Sequence, residues 1–223
     1  IRIKPDVILD FGSVKETFVS LANATQQQIG IPYLLIDGRF EATAASLRLL
    51  GAALGKSDRA EQLALYVEAH LTAVDAAIAQ VPATRRPRVY LARGPDGLET
   101  GVTGSINTEI IERAGGRNVV EATEGQRGLV RASIEQVIVA NPDVIITWDR
   151  GFYERAGHDP LWRELKAVRE GRLYLSPTAP FGWIDRPPSV NRLIGLVWLA
   201  GIFYPQQFPK DLRDQVREFY KVF

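Results

Sequence analysis

The sequence contains no cysteine and only two histidines among its 223 residues. The lack of cysteine excludes a thiol nucleophile, a thiolate metal site and a disulfide within these residues. It does not identify the compartment, because exported proteins without disulfides and cytosolic proteins both fit. A site for a bare transition metal usually needs several His, carboxylate or Cys ligands, and His70 and His158 lie far apart in the sequence. Any metal is therefore expected to arrive already chelated, and no resident cofactor is predicted.

Charge of one sign and long hydrophobic runs are also missing. The 27 Lys and Arg residues balance 26 Asp and Glu residues and leave a net charge of +1. This balance predicts no nucleic-acid partner and no direct attraction to a membrane surface. The longest apolar stretch, residues 193–204, is shorter than the roughly 20 residues that a membrane-spanning helix needs. The 46% apolar and 24% charged content is that of an ordinary globular protein.

Common catalytic motifs are absent as well. The segment Gly51–Ser57 superficially resembles a phosphate-binding loop, but three residues separate its glycines where that motif needs four. No nucleophile elbow, zinc-binding His-Glu-x-x-His or dinucleotide-binding Gly-x-Gly-x-x-Gly occurs. None of these common motifs therefore indicates an enzyme.

Two short motifs occur twice. Pro5-Asp-Val-Ile8 recurs as Pro142-Asp-Val-Ile145, and Arg48-Leu-Leu-Gly51 recurs downstream as Arg192-Leu-Ile-Gly195. The repetition predicts two similar α/β lobes. A cleft between two such lobes is a common place for a small ligand.

In the second copy a helical segment, Ser133–Val139, precedes the Pro-Asp-Val-Ile strand. In the first copy the chain begins at Ile1, only four residues before that strand motif. We therefore expect further sequence upstream, where a signal peptide or lipid attachment site would lie. A lobe without its first strands is expected to have an unpaired sheet edge and to self-associate through it.

The alternation of short apolar strands with helices predicts two Rossmann-like lobes with parallel-rich central sheets, the first of them incomplete. Residues 1–57 are interpreted as the remnant of the N-terminal lobe, 58–81 as a long interlobe helix of about 35 Å, and 82–223 as the C-terminal lobe. The last helices of the C-terminal lobe are candidates for packing back on the N-terminal lobe. Strands are predicted over 6–10, 32–37, 88–92, 143–147 and 172–175, and helices over 13–29, 42–54, 58–80, 107–114, 133–139, 160–170, 190–203 and 210–222.

An ordered set of further motifs covers essentially the whole chain: Ala114–Val119, Glu135-Gln136 before Asn141–Ile145, Asp159–Trp162, Ala167–Tyr174, Arg186–Ser189 and Tyr204-Pro205. With the Pro-Asp-Val-Ile pair, this set resembles the class III substrate-binding proteins of iron-siderophore, haem and cobalamin ABC importers. The resemblance implies two α/β lobes joined by one long helix, a ligand held between them and delivery to a membrane permease. It also implies no chemistry on the ligand, and so a protein that is not an enzyme, with a periplasmic or extracellular location.

The resemblance further implies a glutamate on each lobe that docks arginines of the permease. Glu135 stands seven residues before Pro142 and matches that position in the second lobe. The equivalent position in the first lobe would lie upstream of Ile1. A solvated helix acid in a capping arrangement with Ser133 is the other interpretation of Glu135.

Ligands of parallel α/β lobes bind outside the carboxyl ends of the strands, and this rule selects residues that follow each predicted strand. Their chemistry suits an anionic metal chelate, since arginines pair with carboxylates, catecholates or oxyanions and aromatic rings cover a flat macrocycle. The candidate ligand-binding residues are Arg39, Arg93, Trp148, Arg150, Tyr153, Phe181, Trp183 and Arg186, and Phe152 is a further aromatic candidate.

Three of these candidates carry more specific expectations. Trp183 follows a glycine in a proline-rich loop, and this setting favours an exposed aromatic platform. Tyr153 is a candidate direct ligand of iron or haem iron. Arg186 either contacts ligand or pairs with its neighbour Asp185 to stiffen a turn.

The predicted function is capture of a metal chelate of the iron-siderophore, haem or corrinoid class and its delivery to an ABC permease. The sequence does not distinguish these chelates from a metal oxyanion as the cargo. Two other functions stay open: a metal-chelatase or cofactor-assembly enzyme of similar form, which would need a histidine or carboxylate pair facing the cleft, and a sensor that signals to a membrane partner.

Overall fold

The computed structural model describes residues 3–186, 188–208 and 211–223. The chain forms two compact units, Ile1–Glu68 and Ala69–Phe223. It passes from the first to the second within one long helix, α3 (Ser57–Ala79). Each unit is described below by itself.

The first unit contains a two-stranded parallel sheet. Strands β1 (Ile8–Gly12) and β2 (Tyr33–Asp37) pair in register from Ile8 opposite Tyr33 to Gly12 opposite Asp37. Helix α1 (Glu16–Ile29) connects them and ends at Gly30, whose φ of 70° is available to glycine at little cost. A 3-10 turn and α2 (Thr43–Ala53) follow β2 and lead to α3. Among the described residues β1 pairs only with β2, so the predicted self-association through its other edge stays a prediction.

The second unit is built around a four-stranded parallel sheet. Its strand order is β5-β3-β7-β8, and a separate antiparallel pair, β4-β6, lies beside it. Its elements are β3 (Arg88–Ala92), β4 (Glu99–Gly101), α4 (Glu109–Arg113), β5 (Arg117–Asn118), β6 (Leu129–Arg131), α5 (Ile134–Ala140), β7 (Val144–Thr147), α6 (Arg150–Ala156), α7 (Lys166–Arg169), β8 (Leu173–Leu175), α8 (Arg192–Phe203) and α9 (Arg213–Val222).

The central strands of this sheet are buried on both faces. All four residues of β7 are buried, as are Val89 to Ala92 of β3. Such continuous apolar strands are typical of a parallel sheet covered by helices on both sides. One core cluster joins the sheet to α5 and α6 and includes Tyr90, Val137, Ile145, Phe152 and Trp162.

The predicted fold class, α/β with parallel-rich sheets, is confirmed. Strand β3 has the predicted bounds, and most other elements differ from prediction by a few residues at their ends. Among the described residues no helix is long and apolar enough to span a membrane.

Some elements of the second unit are not among the predicted ones, and one predicted element is wrong. The glycine-rich segment after β3 contains β4, which pairs with β6. Residues 150–156 form α6, and Asp149 caps this helix by accepting a hydrogen bond from the Phe152 amide at 2.8 Å. The helix predicted over 160–170 is broken, since Leu165 adopts an extended conformation, with ψ of 134°, between a 3-10 turn and α7.

Candidate functional site

The candidate site of the second unit lies where its parallel strands end. Arg93 directly follows β3, Trp148 directly follows β7, and the chain after β8 leads to residues 181–186. We call residues 181–186 the platform loop. Because parallel strands present their carboxyl ends at one edge of a sheet, these segments meet there.

Trp148 is the centre of this arrangement. The Arg186 guanidinium carbon lies 4.6 Å from the centroid of the Trp148 ring, and the Arg93 guanidinium carbon lies 5.9 Å from it. Both distances fall within the range in which a cation is attracted to an aromatic ring. Three residues predicted separately from the sequence are therefore brought together.

Arg186 is exposed, and no carboxylate in the described part of the chain lies within 4.0 Å of its side-chain nitrogens. The interpretation that it pairs with its neighbour Asp185 is wrong. Asp185 points instead into the protein, where its carboxylate contacts Arg93 and Asn107. Arg186 thus presents a positive charge that the described acidic side chains do not neutralise.

Arg93, by contrast, is buried and already paired. Its side chain forms ion pairs with Glu99 and with Asp185, and the Asp185 oxygen lies 2.5 Å from Nε without the alignment of a hydrogen bond. The second oxygen of Asp185 accepts a hydrogen bond from Asn107 at 2.5 Å. Since an unpaired buried charge is very costly, this network explains how Asp185 is tolerated with its side chain fully buried.

A second buried arginine lies beneath the platform loop. Arg192, at the start of α8, is 2% exposed and donates to the Ile184 carbonyl at 3.2 Å, the Ile106 carbonyl at 2.9 Å and the Glu109 carboxylate at 2.7 Å. Burial lowers the pKa of the Arg192 guanidinium, while the carboxylates of Glu109 and Asp185 oppose that shift. The positive charge of Arg192 is therefore compensated inside the protein.

Trp183 is not an exposed platform, and that prediction is wrong. The residue is 7% exposed, because Gly195 of α8 lets the backbone of Trp183 approach so closely that a Cβ on Gly195 would lie 1.8 Å from the Trp183 carbonyl oxygen. The indole N–H groups of Trp183 and Trp148 are buried and have no acceptor in the described structure. An unsatisfied buried donor costs about 1–3 kcal/mol, which an incoming acceptor would recover.

The other candidates of the second unit differ in exposure. Arg150 begins α6 and lies 3.9 Å from Glu154, and Tyr153 of the same helix is 39% exposed. Phe181 is 58% exposed at the start of the platform loop. Phe152 is 2% exposed and packs edge-on against Trp162 in the core, so its selection as a ligand-covering ring is wrong.

Arg39 belongs to the first unit. Its guanidinium pairs with Asp37 at 2.6 Å and with Glu41 at 2.8 Å. The hydrogen bond from Arg39 lowers the pKa of the Asp37 carboxyl. A ligand anion at Arg39 would have to compete with these two carboxylates.

Glu135 lies on the first turn of α5 and is exposed. The capping box of this helix is formed by Ser133 with Gln136, whose side chain accepts from the Ser133 amide at 2.8 Å. The Ser133 hydroxyl also lowers the pKa of Glu135. On the same helix face, Ile138 is 38% and Val139 is 85% exposed, so an acid and two apolar side chains share one surface.

Sequence reasoning missed four polar partners of the cluster and the inward direction of Asp185; the four partners are Glu99, Asn107, Glu109 and Arg192. The available signal was the repeated Arg-Leu-Ile-Gly motif, which places an arginine at the start of an otherwise apolar helix. A charged residue in such a position is rarely buried unless paired, and this rule would have prompted a search for a partner. In the described residues, no three His, Asp or Glu side chains cluster as metal ligands.

Comparison with known proteins identifies similar chains. A family model described as periplasmic binding protein matches residues 1–180. The molybdate-binding protein MolA of Haemophilus influenzae is 30% identical over 180 residues, which cover 79% of this chain and 50% of that protein. The high-affinity haem uptake system protein IsdE of Staphylococcus aureus is 22% identical over 212 residues, and this alignment covers 88% of this chain and 69% of IsdE.

Solved structures agree with this similarity. An ABC transporter solute-binding protein from Sulfurospirillum deleyianum superposes with a TM-score of 0.88 at 33% identity, over 100% of this chain and 69% of that one. The chain thus spans half the length of the molybdate-binding relative and about two thirds of the solute-binding protein.

Proposed function

Because the chain belongs to the periplasmic binding protein family, we propose that it is the solute-binding component of an ABC importer and delivers an anionic, metal-containing solute to a permease. The family expected from the sequence is confirmed, and the relatives are binding proteins of the periplasmic or extracellular face. The cargo, the partner and the mechanism of delivery are proposals.

One observation carries the proposed ligand chemistry. Arg186 lies over the Trp148 ring at 4.6 Å and has no neutralising carboxylate within the described chain. The neighbouring buried arginines are compensated by Glu99, Asp185 and Glu109. This surface therefore offers one uncompensated positive charge on an aromatic ring, an arrangement suited to the carboxylate, catecholate or oxo group of a metal complex.

Two cargo classes follow from this chemistry. A flat chelate of the iron-siderophore, haem or corrinoid class is favoured by two exposed aromatic side chains, Phe181 in the platform loop and Tyr153 on α6. A compact oxyanion such as molybdate is the second candidate, and the 30% identity with a protein named for molybdate binding favours it. Arg150 is retained as a proposed ligand contact in both cases, and the role predicted for Arg39 of the first unit stays a prediction.

The proposed docking site for the permease is Glu135. This carboxylate is exposed on the first turn of α5, and Val139 lies one turn further along the same face. An acidic group flanked by exposed apolar side chains suits a basic partner surface with an apolar component.

A thermal-shift and calorimetry screen tests the proposal. The probes are haemin, ferric enterobactin, cyanocobalamin, sodium molybdate and free Fe³⁺, Zn²⁺ and Mn²⁺. A probe at 100 times its Kd should stabilise the protein by about 2.7 kcal/mol. Binding of a complexed or oxyanionic metal supports the proposal, whereas binding of free metal ions alone contradicts it.

Arg186→Gln tests the site itself. Loss of a charge-assisted contact of about 1.5–3 kcal/mol should weaken binding of the responding probe roughly 10- to 100-fold. The matched control is Arg163→Gln, since Arg163 is 59% exposed and pairs only loosely with Glu164 at 3.6 Å. Equal affinity of the two variants would contradict the assignment of Arg186.

A further inference from the structure

Two buried polar side chains hold the platform loop: Arg192, which lies beneath it, and Asp185, which belongs to it and points inward. We propose that Arg192 and Asp185 are positioning residues: they fix the platform loop so that Arg186 stays over Trp148 in a geometry ready for an anion. The consequence for affinity rests on the proposed binding function, whereas the consequence for the loop does not.

Arg192 fixes the middle of the loop. Its Nε donates to the Ile184 carbonyl at 3.2 Å, and its Nη2 donates to Ile106 and Glu109 at 2.9 and 2.7 Å. One rigid guanidinium thus ties the platform loop to the segment before α4. Lysine has no planar fork and would be unable to make these contacts together.

Asp185 fixes the residue next to Arg186. Its carboxylate contacts the Arg93 guanidinium on one oxygen and the Asn107 amide on the other, each at 2.5 Å. Asp185 is 1% exposed. The following residue, Arg186, is exposed and lies over the Trp148 ring, so fixing Asp185 also fixes the backbone from which Arg186 projects.

Close backbone packing supports both ends of the loop. Asn191 donates to the Phe181 carbonyl at 3.2 Å, and the Trp183 amide donates to Pro177 at 3.1 Å. A Cβ on Gly182 would lie 2.4 Å from the Arg186 carbonyl oxygen, so the loop folds tightly on itself. These contacts leave the loop few alternative conformations.

A loop ordered before the ligand arrives loses little conformational entropy on binding. Each flexible side chain that must be immobilised costs binding free energy, and ordering a backbone segment adds to this cost. Loosening the loop should therefore weaken binding even though every group that touches the ligand is still present.

Hydrogen exchange followed by mass spectrometry tests the inference without a ligand. In Arg192→Lys and in the milder Asn107→Ala, peptides covering 181–186 should exchange at least 10-fold faster, while β3 and β7 keep their protection. Arg113→Lys is the matched control, because Arg113 is a part-exposed arginine that pairs with Asp75 away from the loop. Unchanged protection of 181–186 in both variants would overturn the inference, and so would uniformly faster exchange across the unit, which marks a merely structural role.

Affinity provides the second measurement, with sodium molybdate and haemin as probes. Both variants should weaken binding of the probe that binds the wild type by at least fivefold, and Arg113→Lys should not. Faster local exchange without weaker binding would overturn the role in affinity. If the wild type binds neither probe, the exchange result still decides whether these residues hold the loop, and the wider probe screen decides the proposed cargo classes separately. Should Arg192→Lys not fold, Asn107→Ala decides the outcome.

Discussion

At the residue scale, two neighbours in the sequence, Asp185 and Arg186, contact different partners in the site. Asp185 and Arg186 are adjacent and oppositely charged, a pattern that is compatible with a simple ion pair. The fold separates them, because Asp185 is drawn to Arg93 and Asn107 while Arg186 stacks on Trp148. Sequence analysis identified Arg93, Trp148 and Arg186 through their positions after strands. It missed the inward direction of Asp185, since partners 78 or more residues away leave no local signal.

Gly195 lets the Trp183 backbone pack closely against α8, and a substitution at Gly195 tests this close packing. Gly195→Ala would place a Cβ 1.8 Å from the Trp183 carbonyl oxygen, so the backbone must shift. We expect overpacking to lower the free energy of unfolding by about 1–3 kcal/mol, measured by urea denaturation. Gly157→Ala is the control, because no atom lies within 4 Å of its added Cβ and its φ is −67°. Equal stability of the two variants would contradict the close approach of the loop to α8.

At the element scale, the repeated Arg-Leu-x-Gly motif marks similar packing in the two units. Arg48 of α2 pairs with Glu61 at 2.7 Å and with Glu68 at 2.6 Å, and Gly51 lets α3 approach, since its added Cβ would lie 2.2 Å from Ala60. Arg192 and Gly195 do the same with Glu109 and Trp183. The sequence repeat therefore encodes an arginine tether and a close backbone approach on one helix.

The elements that could be predicted are those with their own local pattern. Strand β3 was found because its apolar run is bounded by proline and glycine, and α3 because its apolar residues recur at helical spacing. Strands β4 and β6 have three residues each and pair across a long insertion, so no periodicity identifies them. Leu165 interrupts a helical pattern because its burial, at 2% exposure, outweighs local propensity.

His70 couples α3 to α8 within the second unit and predicts a pH dependence. Its Nε2 lies 2.9 Å from the Leu193 carbonyl oxygen, and burial lowers its pKa although this contact opposes the shift. The unfolded chain, with a histidine pKa of about 6.5, then binds a proton at higher pH than the folded protein does. Stability linked to His70 is therefore complete above about pH 6.5 and is lost as the pH falls toward the lower, folded pKa.

The measurement compares unfolding free energies at pH 7.5 and pH 5 for the wild type and His70→Gln. The wild type should lose more stability than the variant, on the order of 1 kcal/mol for each unit by which the pKa is lowered. His158→Gln is the control, because His158 is exposed in the turn after α6. An identical pH response of wild type and His70→Gln would show that His70 stays equally protonated in both states.

At the scale of the whole molecule, the proposed ligand contacts and the proposed permease-docking residue lie at opposite edges of the parallel sheet of the second unit. The proposed ligand contacts follow the carboxyl ends of β3, β7 and β8, whereas Glu135 lies at the start of α5, which precedes β7 in the chain. Residues that enter a parallel strand lie at the opposite edge of the sheet from residues that leave it. A variant at one face should therefore leave the other face unchanged.

Glu135→Lys tests this separation. Reversing the charge should weaken binding of the protein to its reconstituted permease by at least tenfold, because like charges across an interface cost several kcal/mol. The thermal shift produced by the responding probe should stay as in the wild type, since Glu135 is exposed on a helix that does not contribute to the cluster around Trp148. Glu124→Lys, an equal charge change at another exposed glutamate, is the control. If Glu135→Lys binds the permease and supports uptake as well as Glu124→Lys does, α5 is not the docking face, and the acid then serves only as a solvated charge on the first turn of its helix.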